Sequence, residues 1–497
     1  MKYKSTRNKE LRVTAAQAIT QGLSEEGGLF VPESFPEIEM ADIECLAEKP
    51  YTERAIEILS LFLTDFSDEQ LVSCVEGAYT AEKFGTDAII RMEELCDGVS
   101  MLELWHGPTC AFKDMALQLL PHLLTTSAKI TGIDKEIVIL VATSGDTGKA
   151  ALAGFQNVPG TKIAVFYPEE GVSPMQKRQM TTQEGENVSV CAVKGNFDDA
   201  QSAVKRIFTD KALHEKMAEN GKMFSSANSI NWGRLVPQVV YYIAAYAQMI
   251  ADGTIQPGDQ INVCVPTGNF GNILAAYYAK KMGLPIGRLI CASNRNKVLT
   301  DFIRTGTYDK NRDFYTTISP SMDILISSNL ERLLFDLYDE DDAAVRALYA
   351  SLAETGSFTV SGEVKEKLQS LFWGDFCDDD ATEATIRAAF EEDSYLCDTH
   401  TAVAVHAAMH YRRETGDNTR LVVASTANPY KFAASVLGAV YDELPEDEYE
   451  QIGTLERLSG LCVPKSLAEL KDKPVRFTRS IEREAIEEEV VSMLGLK

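Results

Sequence analysis

Ile261-Asn-Val-Cys-Val-Pro-Thr-Gly-Asn-Phe-Gly-Asn-Ile-Leu-Ala-Ala-Tyr-Tyr-Ala279 is the stretch on which the reading of this chain turns. Its first five residues form a short, mostly apolar run rich in β-branched side chains, which predicts a buried strand. Residues 273–279 read as a helix. Between them Gly268 and Gly271 allow a tight turn. A strand that passes through a glycine turn directly into a helix is part of a β-α-β unit. Runs of the same kind recur on both sides. Residues 137–142 are followed by a polar turn and a helix over 149–153, and residues 163–167 and 188–193 precede a helix over 200–208. Residues 289–292 and 421–424 complete the series. Continuous apolar runs separated by helices are the pattern of parallel strands covered on both faces. The predicted fold is α/β, with two open parallel-sheet subdomains. Ligands in such sheets bind at the carboxyl ends of the strands.

Residues 1–95 read as a helical N-terminal unit, with apolar residues near helical spacing at 15–19 and 54–62. Residues 96–440 read as the α/β region, with a smaller subdomain over about 130–240. Within it, residues 310–395 break the rhythm and read as a mostly helical, acidic insertion. Residues 441–497 form a charged C-terminal extension with a helix over 481–494, to which no chemistry is assigned.

The chain has 497 residues, enough for two or three domains, and a formal net charge of −26. Such an acidic surface argues against nonspecific binding to nucleic acid or anionic membranes, and neither is expected as a partner. The ten cysteines include no Cys-x-x-Cys pair, and several sit inside apolar runs. They read as free thiols in a reducing compartment, with neither a disulfide frame nor a metal site expected. The first residues lack the apolar core of a signal peptide. The richest apolar stretch, 236–250, contains Gln238 and Gln248 and is too short to span a bilayer. A cytoplasmic protein is expected.

Five segments carry candidate chemistry. In His106-Gly-Pro-Thr-Cys-Ala-Phe-Lys-Asp114, Lys113 follows a Gly-Pro turn and precedes an apolar run. Desolvation there lowers the pKa of an amine and makes it a nucleophile toward a carbonyl. A solvated surface lysine is the plainer reading. Pro266–Asn272 is either an anion cradle, built from exposed N–H groups and a helix start, or an ordinary strand-helix turn. Thr143-Ser-Gly-Asp-Thr-Gly-Lys149 resembles a nucleotide P-loop, but its glycines are spaced too closely for one. Hydroxyls of Thr143, Ser144 and Thr147 suit a carboxylate or phosphate, and helix capping by Asp146 or Thr147 explains the segment equally. Ser226-Ala-Asn-Ser-Ile-Asn-Trp-Gly-Arg234 sets amides and hydroxyls beside Arg234, a residue type suited to bidentate phosphate binding or simply an exposed arginine at a helix start. Ser425-Thr-Ala-Asn-Pro-Tyr-Lys431 follows a strand and offers the Thr426 hydroxyl. His406 and His410 stand four apart, but a packed, capped helix explains them better than a metal.

Taken in order, these segments resemble threonine synthase, a family of pyridoxal-phosphate enzymes of the tryptophan-synthase-β-like fold (fold type II). The resemblance runs from the N-terminal unit to about residue 440. It implies that pyridoxal 5'-phosphate is the cofactor, joined to Lys113, which also shuttles protons. It implies that Gly268, Asn269, Phe270, Gly271 and Asn272 bind the cofactor phosphate, that Thr426 meets the pyridine nitrogen, that Phe112 or a neighbour packs on the ring and that Asp146 lies near the ring hydroxyl. Thr143 and Ser144 fall near the substrate carboxylate; Thr147, Asn228, Ser229 and Arg234 hold its phosphate. The implied reaction converts O-phospho-L-homoserine and water to L-threonine and phosphate, by a monomer or homodimer. A phospho-lyase acting on the same substrate, or a serine/threonine dehydratase, is the alternative on this fold. Two positions depart from the family pattern: Asn428 replaces a histidine common before Pro429, and Thr399 replaces a proline common before His400. Both put fine specificity in question more than the chemistry.

Overall fold

The apolar runs become strands of two separate sheets. In the larger sheet six strands lie in the order Phe372–Phe376, Ile286–Ser293, Ile261–Pro266, Arg420–Ser425, Val99–Glu103 and Arg91–Cys96. All pairings are parallel except that of the edge strand Arg91–Cys96. In the smaller sheet five parallel strands lie in the order Ser480–Glu482, Val188–Lys194, Thr161–Pro168, Glu136–Ala142 and Lys222–Ser225. The computed structural model describes residues 1–143, 145–170, 172–195 and 197–496.

Every residue of Ile261–Pro266 is buried, as is the apolar centre of Glu136–Ala142. Helices cover both faces, so these strands lose the polar-apolar alternation of a half-exposed sheet. Burying each such Val or Ile side chain contributes about 1.5–3 kcal/mol. The helix Trp232–Ala251 packs against Gly271–Lys281 on one side and against Met40–Ala47 and Tyr51–Phe62 of the N-terminal unit on the other. That contact makes the N-terminal unit part of the main core, with Trp232, Tyr3 and Phe62 in one aromatic cluster.

The N-terminal unit is not all helical. Tyr3–Ser5 pairs antiparallel with both Asn8–Val13 and Phe30–Pro32. Asn8–Val13 is mostly solvent-facing and charged, and so leaves no apolar period in the sequence. Residues 310–395 hold four helices longer than seven residues, yet they also supply Phe372–Phe376, an edge strand of the larger sheet. The C-terminal extension leaves the larger sheet through the helix Glu448–Ser459 and crosses to the smaller one. There Arg476 Nη1 donates to Gln183 O at 2.7 Å, and Ser480–Glu482 pairs beside Val188–Lys194. The helix expected over 481–494 begins only at Ile486, because residues 480–482 are drawn into the strand ladder and Arg483–Ala485 form a 3-10 turn between the two.

All five candidate segments leave the carboxyl ends of strands: Val99–Glu103, Glu136–Ala142, Lys222–Ser225, Ile261–Pro266 and Arg420–Ser425. They meet in the cleft between the two sheets.

Candidate active site

The cleft has a volume of ≈ 280 Å³ and is lined by every residue for which the resemblance implies a cofactor or substrate role except Ser144, which lies outside the described residues. Lys113 stands at the start of the short helix Asp114–Leu117, with its side chain only 11% exposed. Its Nζ donates to Ser321 Oγ at 3.4 Å, lies 3.8 Å from Asp146 Oδ2 and sits 4.9 Å from the centre of the Phe112 ring. Burial pulls its pKa down to about 8; the Asp146 carboxylate opposes this, and the Arg234 and Lys431 charges add to it. The neutral amine is the nucleophile, so reactivity rises with pH until that value is passed. We expect ligand-free protein to combine with a small aldehyde at Lys113 at a rate rising about tenfold per pH unit and levelling near pH 8. An ordinary lysine levels only near about 10.4. Reductive methylation at a series of pH values, read by mass spectrometry of the Lys113 peptide, checks this.

The next residue secures the loop. Asp114 is fully buried and accepts from Thr109 N at 2.8 Å and Thr109 Oγ1 at 2.7 Å. Burial nevertheless pushes its pKa up to about 6. A side chain at Gly107 would bring a Cβ to 2.5 Å from the Asp114 Cβ, so the turn closes only around glycine.

The Pro266–Asn272 turn has the form of an anion cradle. Phe270 takes the left-handed conformation (φ 64°) at the entrance to Gly271–Lys281. A Cβ on Gly268 would lie 2.9 Å from Ser321 O. Among the described residues, no protein acceptor meets the N–H groups of residues 268–271. Asn272 accepts from the Tyr242 hydroxyl, while its own Nδ2 is buried without a partner. Open amides and an orphaned buried donor fit a phosphate, which supplies the missing acceptors.

A second anion position lies at the start of Trp232–Ala251. Arg234 is 6% exposed; it donates from Nη1 to Ala227 O at 2.8 Å and from Nη2 to Thr147 Oγ1 at 3.5 Å. No carboxylate pairs with it among the described residues, and burial lowers its pKa to about 10. A buried guanidinium with only neutral partners is costly unless an anion completes it. Asn228 and Ser229 line the same wall.

Other expected residues are placed differently from one another. The Thr143 hydroxyl accepts from Gly145 N at 3.0 Å and Gly148 N at 2.9 Å, so it organises the turn from within. Thr426 is held by its backbone: its N donates to Thr401 Oγ1 at 3.1 Å and its O accepts from Phe112 N at 2.8 Å. The side chain is thereby aimed at the cleft. Asn428 caps the turn Pro429–Phe432 by accepting from Tyr430 N at 3.0 Å. Thr399 is buried in the first turn of Thr399–Thr415. His410 lies away from the cleft, bonded to Asp375.

Three residues in or beside the cleft were not singled out in the sequence: Ser321, His400 and Lys431. Ser321 comes from the segment read as an insertion. His400 Nε2 accepts from Ser321 N at 3.1 Å, so that nitrogen is unprotonated and Nδ1–H donates to Asp398 Oδ1 at 2.9 Å. The pair fixes the loop that brings Ser321 Oγ to Lys113. We expect His400→Ala to lower kcat/KM about tenfold by releasing this loop, and His400→Gln, whose side-chain oxygen accepts from the same N–H, to recover most of the loss. Equal activity of both variants with the parent in steady-state assays removes the role. A lysine inside the otherwise apolar run Tyr430-Lys-Phe-Ala-Ala434 was the one sequence signal for Lys431.

The chain is similar to known proteins in sequence and in fold. Residues 2–79 match the family model for the threonine synthase N terminus, residues 92–358 that for pyridoxal-phosphate-dependent enzymes, and residues 401–490 that for the threonine synthase C-terminal region. Threonine synthase-like 1 of Pongo abelii is 42% identical over 457 residues, covering 90% of this chain. The chain spans 61% of that relative's length. Threonine synthase of Pseudomonas aeruginosa is 38% identical over 473 residues, covering 95% of this chain and 97% of the relative. Among solved structures, the pyridoxal-phosphate-bound threonine synthase from Brucella melitensis superposes with a TM-score of 0.87 at 36% identity, and the yeast threonine synthase with 0.88 at 32%. Each covers 99% of both chains.

Proposed function

We infer the activity from a premise: this chain belongs to the threonine synthase family, pyridoxal-phosphate-dependent enzymes of fold type II. We propose that it converts O-phospho-L-homoserine and water to L-threonine and inorganic phosphate, the closing step of threonine biosynthesis. The observation that carries this reading is a buried amine in a cleft with two separate anion positions, the glycine turn and the Arg234 wall. One suits the cofactor phosphate and the other a phosphorylated substrate.

Pyridoxal phosphate, when bound, supplies an aldehyde for Lys113 and a conjugated ring that takes up the electron pair left by a departing proton. The rest is the work of this chain. Gly268, Asn269, Phe270, Gly271 and Asn272 would hold the cofactor phosphate, Thr426 would meet the ring nitrogen, Phe112 or a neighbour would pack on the ring and Asp146 would lie near its hydroxyl. Lys113 takes the proton from the substrate α-carbon and returns protons later; its lowered proton affinity suits both directions. Arg234, with Thr147, Asn228 and Ser229, grips the substrate phosphate and then the departing phosphate. Thr143 orders the turn from within, and Ser144 is our candidate for the substrate carboxylate.

Product analysis tests the reading. Purified protein given O-phospho-L-homoserine should release phosphate and threonine in equal amounts. Phosphate with 2-oxobutyrate instead makes it a phospho-lyase; release of neither sinks both. We further propose the division at residues 95 and 440, with a smaller subdomain over about 130–240; four of the five strands of the smaller sheet support that subdomain, while Arg91–Cys96 spans the first boundary and Ser480–Glu482 joins the smaller sheet from beyond the second. No helix among the described residues is long and apolar enough to cross a membrane. A cytoplasmic monomer or homodimer is our reading, supported for location by ten free cysteines.

A further inference from the structure

Lys431 has no exposed side-chain surface, yet it carries an ammonium group. It stands on the turn Pro429–Phe432, which follows a strand of the larger sheet, and reaches Asp146, which opens the first helix turn after a strand of the smaller sheet. Its Nζ lies 2.5 Å from Asp146 Oδ1 and donates to Thr109 O at 2.9 Å, in the loop that presents Lys113. Gln176 Nε2 donates to the same Asp146 Oδ1 at 2.9 Å. Lys113 is left with the other oxygen, Oδ2, at 3.8 Å. One carboxylate is therefore shared by two buried ammonium groups, and Lys431 has the closer hold.

We propose that Lys431 is a positioning residue that keeps Asp146 ionised and occupied, and so sets how tightly the Lys113 nitrogen holds its proton. Burial alone raises the pKa of Asp146, but the Lys431 and Lys113 charges hold it well below the usual carboxylate range. The charged groups that face Lys113 are Asp146, Arg234, Lys431 and Asp398. His400 and Asp323 line the same cleft. Without Lys431, Lys113 has the carboxylate to itself and keeps its proton to higher pH. Without Asp146, Lys113 faces two cations and gives its proton up at lower pH. With both neutralised the two effects oppose each other. A residue that served only to pack the loop would not move the two single variants in opposite directions.

The inference rests on Lys113 being the cofactor-bearing amine. The test is a pH titration of the visible absorbance of the cofactor-loaded protein, which reports the proton on the nitrogen of Lys113. Lys431→Met should raise the midpoint by about one pH unit or more, Asp146→Asn should lower it, and the double variant should lie between them, near the parent. A midpoint unmoved in Lys431→Met, or a double variant no nearer the parent than the singles, overturns the proposal while leaving the enzymatic reading intact. A parent protein that shows no visible band overturns both. Should Lys431→Met fail to fold, the double variant should recover soluble protein, because it no longer buries a carboxylate that has lost its closer cation; no recovery overturns the proposal.

Discussion

Lys113→Ala should lower turnover by about four orders of magnitude or more and abolish the visible absorbance of the loaded protein. The amine is assigned three tasks: attachment of the cofactor, removal of the α-proton and return of protons. General acid-base catalysis alone contributes typically 10²–10⁴-fold, and loss of covalent attachment adds to that. The fold should survive the change. Lys113 has only long contacts, 3.4 Å to Ser321 Oγ and 3.8 Å to Asp146 Oδ2, whereas Asp146 keeps its closer pairing with Lys431. Removing an amine whose charged form is penalised by burial leaves no new unpaired charge. Circular dichroism and thermal melting should therefore match the parent while activity disappears. Retention of the band and of turnover removes Lys113 from the chemistry.

The second large effect is expected at Arg234. Two charge-assisted hydrogen bonds to a phosphate are worth about 1.5–3 kcal/mol each, so Arg234→Ala should lower kcat/KM about 10²–10⁴-fold. Most of the loss should appear in KM if the grip is equal in the ground and transition states, and in kcat if it tightens as phosphate departs. Inhibition by inorganic phosphate should weaken in parallel, which distinguishes a lost grip from a disturbed helix start. The helix cap does not depend on Arg234, because Asn231 accepts from Gly233 N at 2.8 Å on its own. Arg234→Lys should recover only part of the activity, since a point charge does not reproduce the planar fork. Unchanged kcat/KM together with unchanged phosphate inhibition places the guanidinium outside the site.

These two residues were legible because their signals are local. Lys113 sits in a turn between a strand and an apolar helix, and Arg234 sits at a helix start among amides and hydroxyls. Strand-turn-helix segments carry their own punctuation, and parallel strands buried on both faces show it as unbroken apolar runs. The strands Asn8–Val13 and Arg91–Cys96 were not legible, since solvent covers much of both and their charged side chains break the period. The short strand Ser480–Glu482 read as helix because three residues carry no periodicity and the ladder of Val188–Lys194 decides their conformation.

By itself the sequence determined the α/β class, the five turns at strand ends and the family, and it singled out Lys113 as the candidate amine. Each of these depends on residues close together in the chain, where propensity and spacing act. Only the tertiary structure decided that Lys431 shares Asp146 with Lys113, that His400 carries the loop of Ser321, and that the Thr143 hydroxyl serves the turn. Those contacts join residues brought together by two sheets closing on one cleft. Electrostatic and hydrogen-bond partners are selected there by distance in space and by the cost of burying a charge alone, and neither quantity is written in local sequence.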